Sequence, residues 1–104
     1  MSLRSFRLGT FNLFNLVLPH KSYYGRHYSQ DLYDQKVAWT ADQLDRMQAD
    51  ILGLQEVFHE QALREVVQAS TFQRGQQVIV AGETGDLPRV GLVTRFRVLG
   101  HQVF

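Results

Sequence analysis

Two strand-like runs separated by a helical stretch set the frame for this chain. From Ser5 to Leu16 the residues alternate, with Phe6, Leu8, Thr10, Asn12 and Phe14 on one face and Arg7, Gly9, Phe11 and Leu13 on the other. The second run, Ala49 to Phe58, is apolar apart from a few positions, of which Glu56 stands out. Between them Tyr33, Val37, Thr40, Ala41, Leu44 and Met47 fall at helical spacing, a stripe that predicts a core-facing helix with Trp39 at its rim. Asp31 and Asp34 are its expected caps and Gln48 its approximate end. Strand, helix and strand with so long a connection form a crossover unit, the device that joins parallel strands.

The rest of the chain continues in the same style. A second helix is expected from about Glu60 to Ala69, with Leu63, Val66 and Val67 inward. A polar turn around 73–76 leads to a third strand over 77–81, and the turn chemistry of 82–88 follows. Val90–Arg95 and Arg97–Phe104 read as two further strand-like runs. The last of these has no turn or polar tail after it, so the sequence suggests a chain cut short within a larger domain. The expected class is α/β (α+β), and residues 1–104 suffice for one small domain or part of one.

Composition narrows the function classes. With 44% hydrophobic and 20% charged residues the chain is of globular type. The formal net charge of +1 gives no strong general pull toward nucleic acid or anionic lipid. The absence of cysteine excludes disulfides, thiolate metal sites and a cysteine nucleophile. No apolar run approaches the ~20 residues of a membrane span. Asn12 and Asn15 interrupt the moderately apolar N-terminus, which has no small-residue cleavage site, so a signal peptide is not indicated and a soluble, cytoplasmic protein is expected. Phosphate-loop, dinucleotide-binding and nucleophile-elbow motifs do not occur, and His20, His27, His59 and His101 lack the spacing of a helical zinc site. His59 follows the Glu56 run and lies near its chemistry or simply starts a helix.

What remains is a pair of oxygen donors. Asn is a poor strand residue, and Asn12 sits between Phe11 and Leu13; it either ends the strand or aims its amide at a ligand. Glu56 either closes an edge strand and points at water, or lies within a packed strand, where an ionised group needs a partner such as a metal ion. Both stand toward the C-terminal ends of their strands, where open sheets bind ligands. An amide oxygen and a carboxylate converging there suit magnesium, with waters and a substrate phosphate completing the shell. The 23–28 stretch (Tyr23, Tyr24, Gly25, Arg26, His27, Tyr28) interleaves aromatic and basic residues. Such a loop can stack on bases and hold phosphates, or can equally pack on its own domain.

The segments Leu8-Gly9-Thr10-Phe11-Asn12-Leu13 and Ala49-Asp50-Ile51-Leu52-Gly53-Leu54-Gln55-Glu56-Val57 together resemble the opening of the endonuclease/exonuclease/phosphatase superfamily, the deoxyribonuclease-I-like fold. Val90-Gly91-Leu92-Val93-Thr94-Arg95-Phe96 is similar to its Gly-aliphatic-Ser-Arg-Phe segment, with Thr94 in place of Ser and Arg97 where Pro is common. The resemblance covers nearly all of this chain but only the first part of that family's domain. It implies a portion of a four-layer α-β-β-α sandwich. It also implies Glu56 as a ligand of Mg2+ (or Mn2+ or Ca2+) and Asn12 as a residue organising metal and phosphate. The implied reaction is metal-assisted, in-line attack of water on a phosphate ester, with nucleic acid, phosphoinositide or another phosphodiester as substrate.

The family's downstream Asp-x-Asn and Ser/Gly-Asp-His motifs, which supply the water-activating groups, do not occur here. The 104 residues alone are therefore expected to be inactive, to need the remainder of a catalytic domain, and to leave an apolar sheet face bare. The alternative of another class is a non-catalytic α/β binding module that keeps the fold without the chemistry. A third is an unrelated open α/β domain in which Asn12 is a turn residue and Glu56 an exposed edge charge. Fold analogy does not choose the substrate.

Overall fold

The computed structural model describes residues 5–21, 28–82 and 87–102. They form a mixed α/β unit in the order β1 (Leu8–Leu16), α1 (Gln30–Met47), β2 (Ile51–Val57), α2 (Glu60–Ala69), β3 (Gln77–Val80) and β4 (Arg89–Thr94). β1 and β2 pair in parallel, as the long helical connection requires. β4 then inserts antiparallel between β2 and β3, giving the sheet order β1-β2-β4-β3.

Each helix forms where its sequence gives it a start, a stop and one apolar face. Ser29 caps α1, its Oγ accepting from the Leu32 N–H at 3.2 Å, with Asp31 in the first turn. The expected caps Asp31 and Asp34 are thus corrected to Ser29. Its hydroxyl reaches an N–H that would otherwise go unpaired at the first turn, while Asp31 instead complements the positive end of the helix dipole. Gln48 closes α1 in the left-handed region, and its N–H returns to the Leu44 carbonyl. Tyr33, Thr40, Ala41 and Leu44 form the buried stripe, and exposed Trp39 leans on Phe11 at the rim. α2 buries Ala62, Leu63, Val66 and Val67.

The helices are tied to one another at both ends. Tyr33 donates its hydroxyl to Glu65 at 3.0 Å, and Ser70 donates to Asp45 at 2.6 Å. Asp45 also accepts from the Phe72 N–H. The turn after α2, predicted as polar, buries Gln73, whose amide donates to the Ala49 carbonyl at 2.9 Å. A buried amide is tolerated because it satisfies a backbone acceptor at the start of β2.

Both helices cover one face of the sheet. Leu13, Leu52, Leu54, Val80 and Val93 point into that interface and form the core with the helix stripes. Burial of each such side chain contributes about 1.5–3 kcal/mol. Gly9 lies on this face because a Cβ there would approach the Met47 Cε to 2.9 Å. The opposite face carries Leu8, Thr10 and Asn12 of β1, Ile51 and Gln55 of β2, and Val90 and Leu92 of β4, by strand alternation and register. Leu8 and Val90 are 68% and 58% exposed. Among the described residues there are therefore two layers, one of helices and one of strand.

Two other expectations change. The run from Arg97 onward does not form a strand over its described part, 97–102. After Thr94 the chain bends, and the Val98 N–H donates to the Gln77 side chain, so the segment turns back beside β3 instead of extending the ladder. The turn residues 83–86, and 103–104 at the chain's end, lie outside the described residues, as do 22–27 of the aromatic-basic stretch. Among the described residues no helix is long and apolar enough to cross a membrane.

Candidate functional site

The sheet loses its regular register at one place, and Glu56 stands at its centre. Asn12 pairs with Gln55, yet the next partners are Leu16 and Val57, so Leu13, Phe14 and Asn15 stand against Glu56 alone. On the other side Leu54 pairs with Gly91 and Val57 with Arg89, so Gln55 and Glu56 stand against Val90. Glu56 thus has no register partner on either neighbouring strand. Its φ is +62°, in the left-handed region that side chains other than glycine seldom adopt. Phe14 and Asn15 opposite it are left-handed as well, at +54° and +62°. Bulges of this kind re-aim side chains and gather beside active sites.

Of the two alternatives for Glu56, an exposed charge closing an edge strand does not fit this arrangement. β2 lies inside the sheet, between β1 and β4, and Glu56 is half-buried. Its carboxylate makes no hydrogen bond or ion pair with the described residues. Asn12 does not end β1, but its side chain makes the bond of an Asx turn, to the backbone two residues on. It lies in the ladder as the last regular pair before the bulge, exposed, and its Oδ1 accepts from the Phe14 N–H at 2.8 Å. That bond holds the amide oriented and leaves the oxygen a second lone pair. Register therefore brings the backbone of Asn12 beside that of Glu56 at the C-terminal end of the parallel pair.

Lys36, which sequence reasoning missed, completes the group. It lies on α1 three residues after Tyr33 and four before Thr40, on the flank of the buried stripe. Its ammonium donates to the Phe14 carbonyl at 2.7 Å and stands 5.5 Å from the centre of the Phe14 ring. Burial pulls this ammonium below its ordinary range, while the charge of Glu56 acts in the opposite sense. The available signal was positional: a lysine between two core positions at helical spacing has to direct its charge along the helix–strand seam.

The surrounding connections are fixed by backbone and ring contacts. The Phe58 N–H donates to the Leu16 carbonyl, restoring the pairing beyond the bulge. His59 is the residue before α2 and does not cap it with its side chain. Its Nδ1 instead accepts from the Leu18 N–H at 3.1 Å, so it anchors the exit of β1. Tyr28, the described end of the aromatic stretch, donates to the Asn15 carbonyl at 3.4 Å.

The donor set suits a hard divalent cation. Asn12 and Glu56 offer only oxygen, as magnesium and calcium require, and an ion taking one carboxylate keeps several waters. Among the described residues no three His, Cys, Asp or Glu side chains come together in a group that could hold a metal ion. A cavity of about 450 Å³, lined by Ser5, Phe6, Arg7, Gln48, Asp50 and Phe72, lies at the other end of the strands. Asp50 there is engaged by the Arg7 N–H at 2.7 Å and by the Arg95 guanidinium at 2.7 Å, a structural clamp. No family model, curated protein or solved structure matches the chain.

Proposed function

We propose that this chain carries the metal-binding part of a magnesium-dependent phosphoester hydrolase of the deoxyribonuclease-I-like kind. The observation that carries the proposal is Glu56 itself, a half-buried carboxylate with no hydrogen bond or ion pair among the described residues, in a left-handed conformation, inside a central strand. Strain of about 1–3 kcal/mol at such a residue persists only where the surroundings over-determine it, and functional sites are where it collects. A purely structural bulge would be served by glycine.

In this proposal Glu56 ligates the ion and Asn12 positions the ion or the phosphate bound to it. The ion polarises a phosphoryl oxygen and stabilises the leaving oxygen while water attacks phosphorus in line. Water activation falls to residues other than these two. The sheet face away from the helices, where Leu8 and Val90 are exposed, is the surface on which the second sheet of a four-layer sandwich would pack. The substrate class is a phosphate ester, whether nucleic acid, phosphoinositide or another phosphodiester.

Hydrolysis of a generic chromogenic phosphodiester by the full-length protein tests the proposal. Glu56→Gln, which keeps size and loses charge, is expected to reduce metal-dependent turnover by orders of magnitude. Turnover near that of the wild type would remove Glu56 from the chemistry.

A further inference from the structure

We propose that Lys36 is the phosphate-side partner of the Glu56 metal site, an ammonium through which divalent cation and phosphate each strengthen the other's binding. The inference rests on the metal-site proposal above and adds a residue and a thermodynamic consequence to it.

The geometry gives Lys36 more than a packing role. Its ammonium is fixed at the bulge by the Phe14 carbonyl at 2.7 Å and by the ring of Phe14. Phe14 is itself 73% exposed, so Lys36 is held at the surface end of the bulge and not inside the core. An ammonium has three donors, and one is used by Phe14. Among the described residues the others have no acceptor; Phe14, which Lys36 grips, stands against Glu56 across the bulge, and the Glu56 charge acts on Lys36. A half-buried cation with free donors, beside a carboxylate with free lone pairs and across a strained bulge, is built to receive an anion.

The consequence for binding has a definite sign. Without phosphate, Lys36 attracts the Glu56 carboxylate and repels a divalent ion placed on it, so it weakens metal binding. A phosphate group bound between ion and ammonium is attracted by both and screens each from the other. The ammonium suits this task as a compact point charge that contacts one phosphate oxygen. Linkage is reciprocal, so the metal raises phosphate affinity by the same factor that phosphate raises metal affinity.

Isothermal titration of Mg2+ into the protein, with and without inorganic phosphate, reads this coupling. In the wild type phosphate is expected to tighten Mg2+ binding by at least about 5-fold, the lower end of typical coupling. Lys36→Met should bind Mg2+ alone as well as or better than the wild type and lose most of the coupling, leaving only the direct attraction of ion and phosphate. Lys36→Gln removes the charge while keeping a donor for the Phe14 carbonyl, and it should behave likewise if the methionine variant folds poorly. Lys36→Arg should recover the coupling in part.

A merely structural lysine gives the opposite pattern: Lys36→Met and Lys36→Gln weaken Mg2+ by one factor whether or not phosphate is present. That pattern, or coupling undiminished by loss of the charge, overturns the inference while leaving the metal site standing. Glu56→Gln separates the two ideas. If it leaves the Mg2+ titration of the wild type unchanged, the metal site falls and the role of Lys36 falls with it.

Discussion

Replacing Glu56 by glycine should make the protein more stable, and the size of the gain follows from the backbone. A left-handed conformation costs a residue other than glycine about 1–2 kcal/mol, and Glu56 has a φ of +62°. Glycine removes that cost but loses roughly 0.5–1 kcal/mol through the greater freedom of its unfolded chain. The carboxylate has no hydrogen bond to lose among the described residues, and its attraction to Lys36 is not a contact pair, so its removal costs at most a few tenths of a kcal/mol. The net expectation is a gain of about 0.5 kcal/mol, or a rise of roughly 2–4 °C in Tm for a domain of this size.

Glu56→Gln is the control for this effect, since it removes the charge and keeps the strain, and its stability should stay close to that of the wild type. Urea unfolding followed by circular dichroism measures all three proteins. Most substitutions in a central strand destabilise by about 1 kcal/mol, so even a small gain is diagnostic. A loss of more than about 1 kcal/mol in Glu56→Gly would refute the reasoning, because it would show that the carboxylate holds the bulge rather than being held by it.

Other consequences concern the helix ties and the open face. Burial alone would raise the Asp45 carboxyl, but the N–H groups of Phe72 and Thr71, the Ser70 hydroxyl and the charge of Arg74 outweigh it and hold it below its ordinary value. The folded value being the lower one, Asp45 contributes stability above the unfolded carboxyl range of about 4 and loses it as pH falls through the folded value. Asp45→Asn should flatten the acid limb of a stability-versus-pH curve, and an unchanged limb would remove Asp45 from that role. Burial, the hydrogen bond to Glu65 and the charges of Glu65 and Asp34 raise the Tyr33 phenol above its ordinary range. Its contribution is therefore complete below about pH 10 and disappears as pH rises through the folded value. Ultraviolet titration should show one tyrosine ionising only at or beyond alkaline unfolding, a component missing in Tyr33→Phe. Exposed Leu8 and Val90 predict that this chain alone binds a hydrophobic dye, and that Leu8→Lys with Val90→Lys reduces the signal; a dye-silent wild-type monomer would count against an apolar patch there.

The elements of this fold were legible wherever a period recurs. The two-residue alternation of β1 put Asn12 on the same face as Leu8 and Thr10, where the structure has it, and the stripe of α1 put Leu44 inside. The crossover implied by the length between β1 and β2 appears as their parallel pairing. What local pattern does not encode is long-range pairing: nothing in Val90–Thr94 says that it inserts between β2 and β3. The run after Arg97 has strand composition but leaves the ladder after the bend at Thr94, so composition alone misled. Ser29 was overlooked as a cap because acidic residues two and five positions later offered a stronger compositional signal.

The candidate site was legible in its residue types and not in its geometry. Asn12 and Glu56 stand out because each is a polar residue where a strand favours an apolar one. The left-handed backbone of Glu56 has no sequence signal, since glutamate is not a residue that favours it. Lys36 was missed because a charge at the edge of an apolar stripe is usually solvated, whereas here the neighbouring bulge supplies a carbonyl for it.

A magnesium titration followed by amide and side-chain NMR tests the central claim most directly. The account predicts saturable shifts confined to Asn12–Asn15, Gln55–Val57 and the Lys36 ammonium, and their loss in Glu56→Gln. Shifts elsewhere, at Asp50 for example, or shifts at the bulge that survive Glu56→Gln, would contradict it.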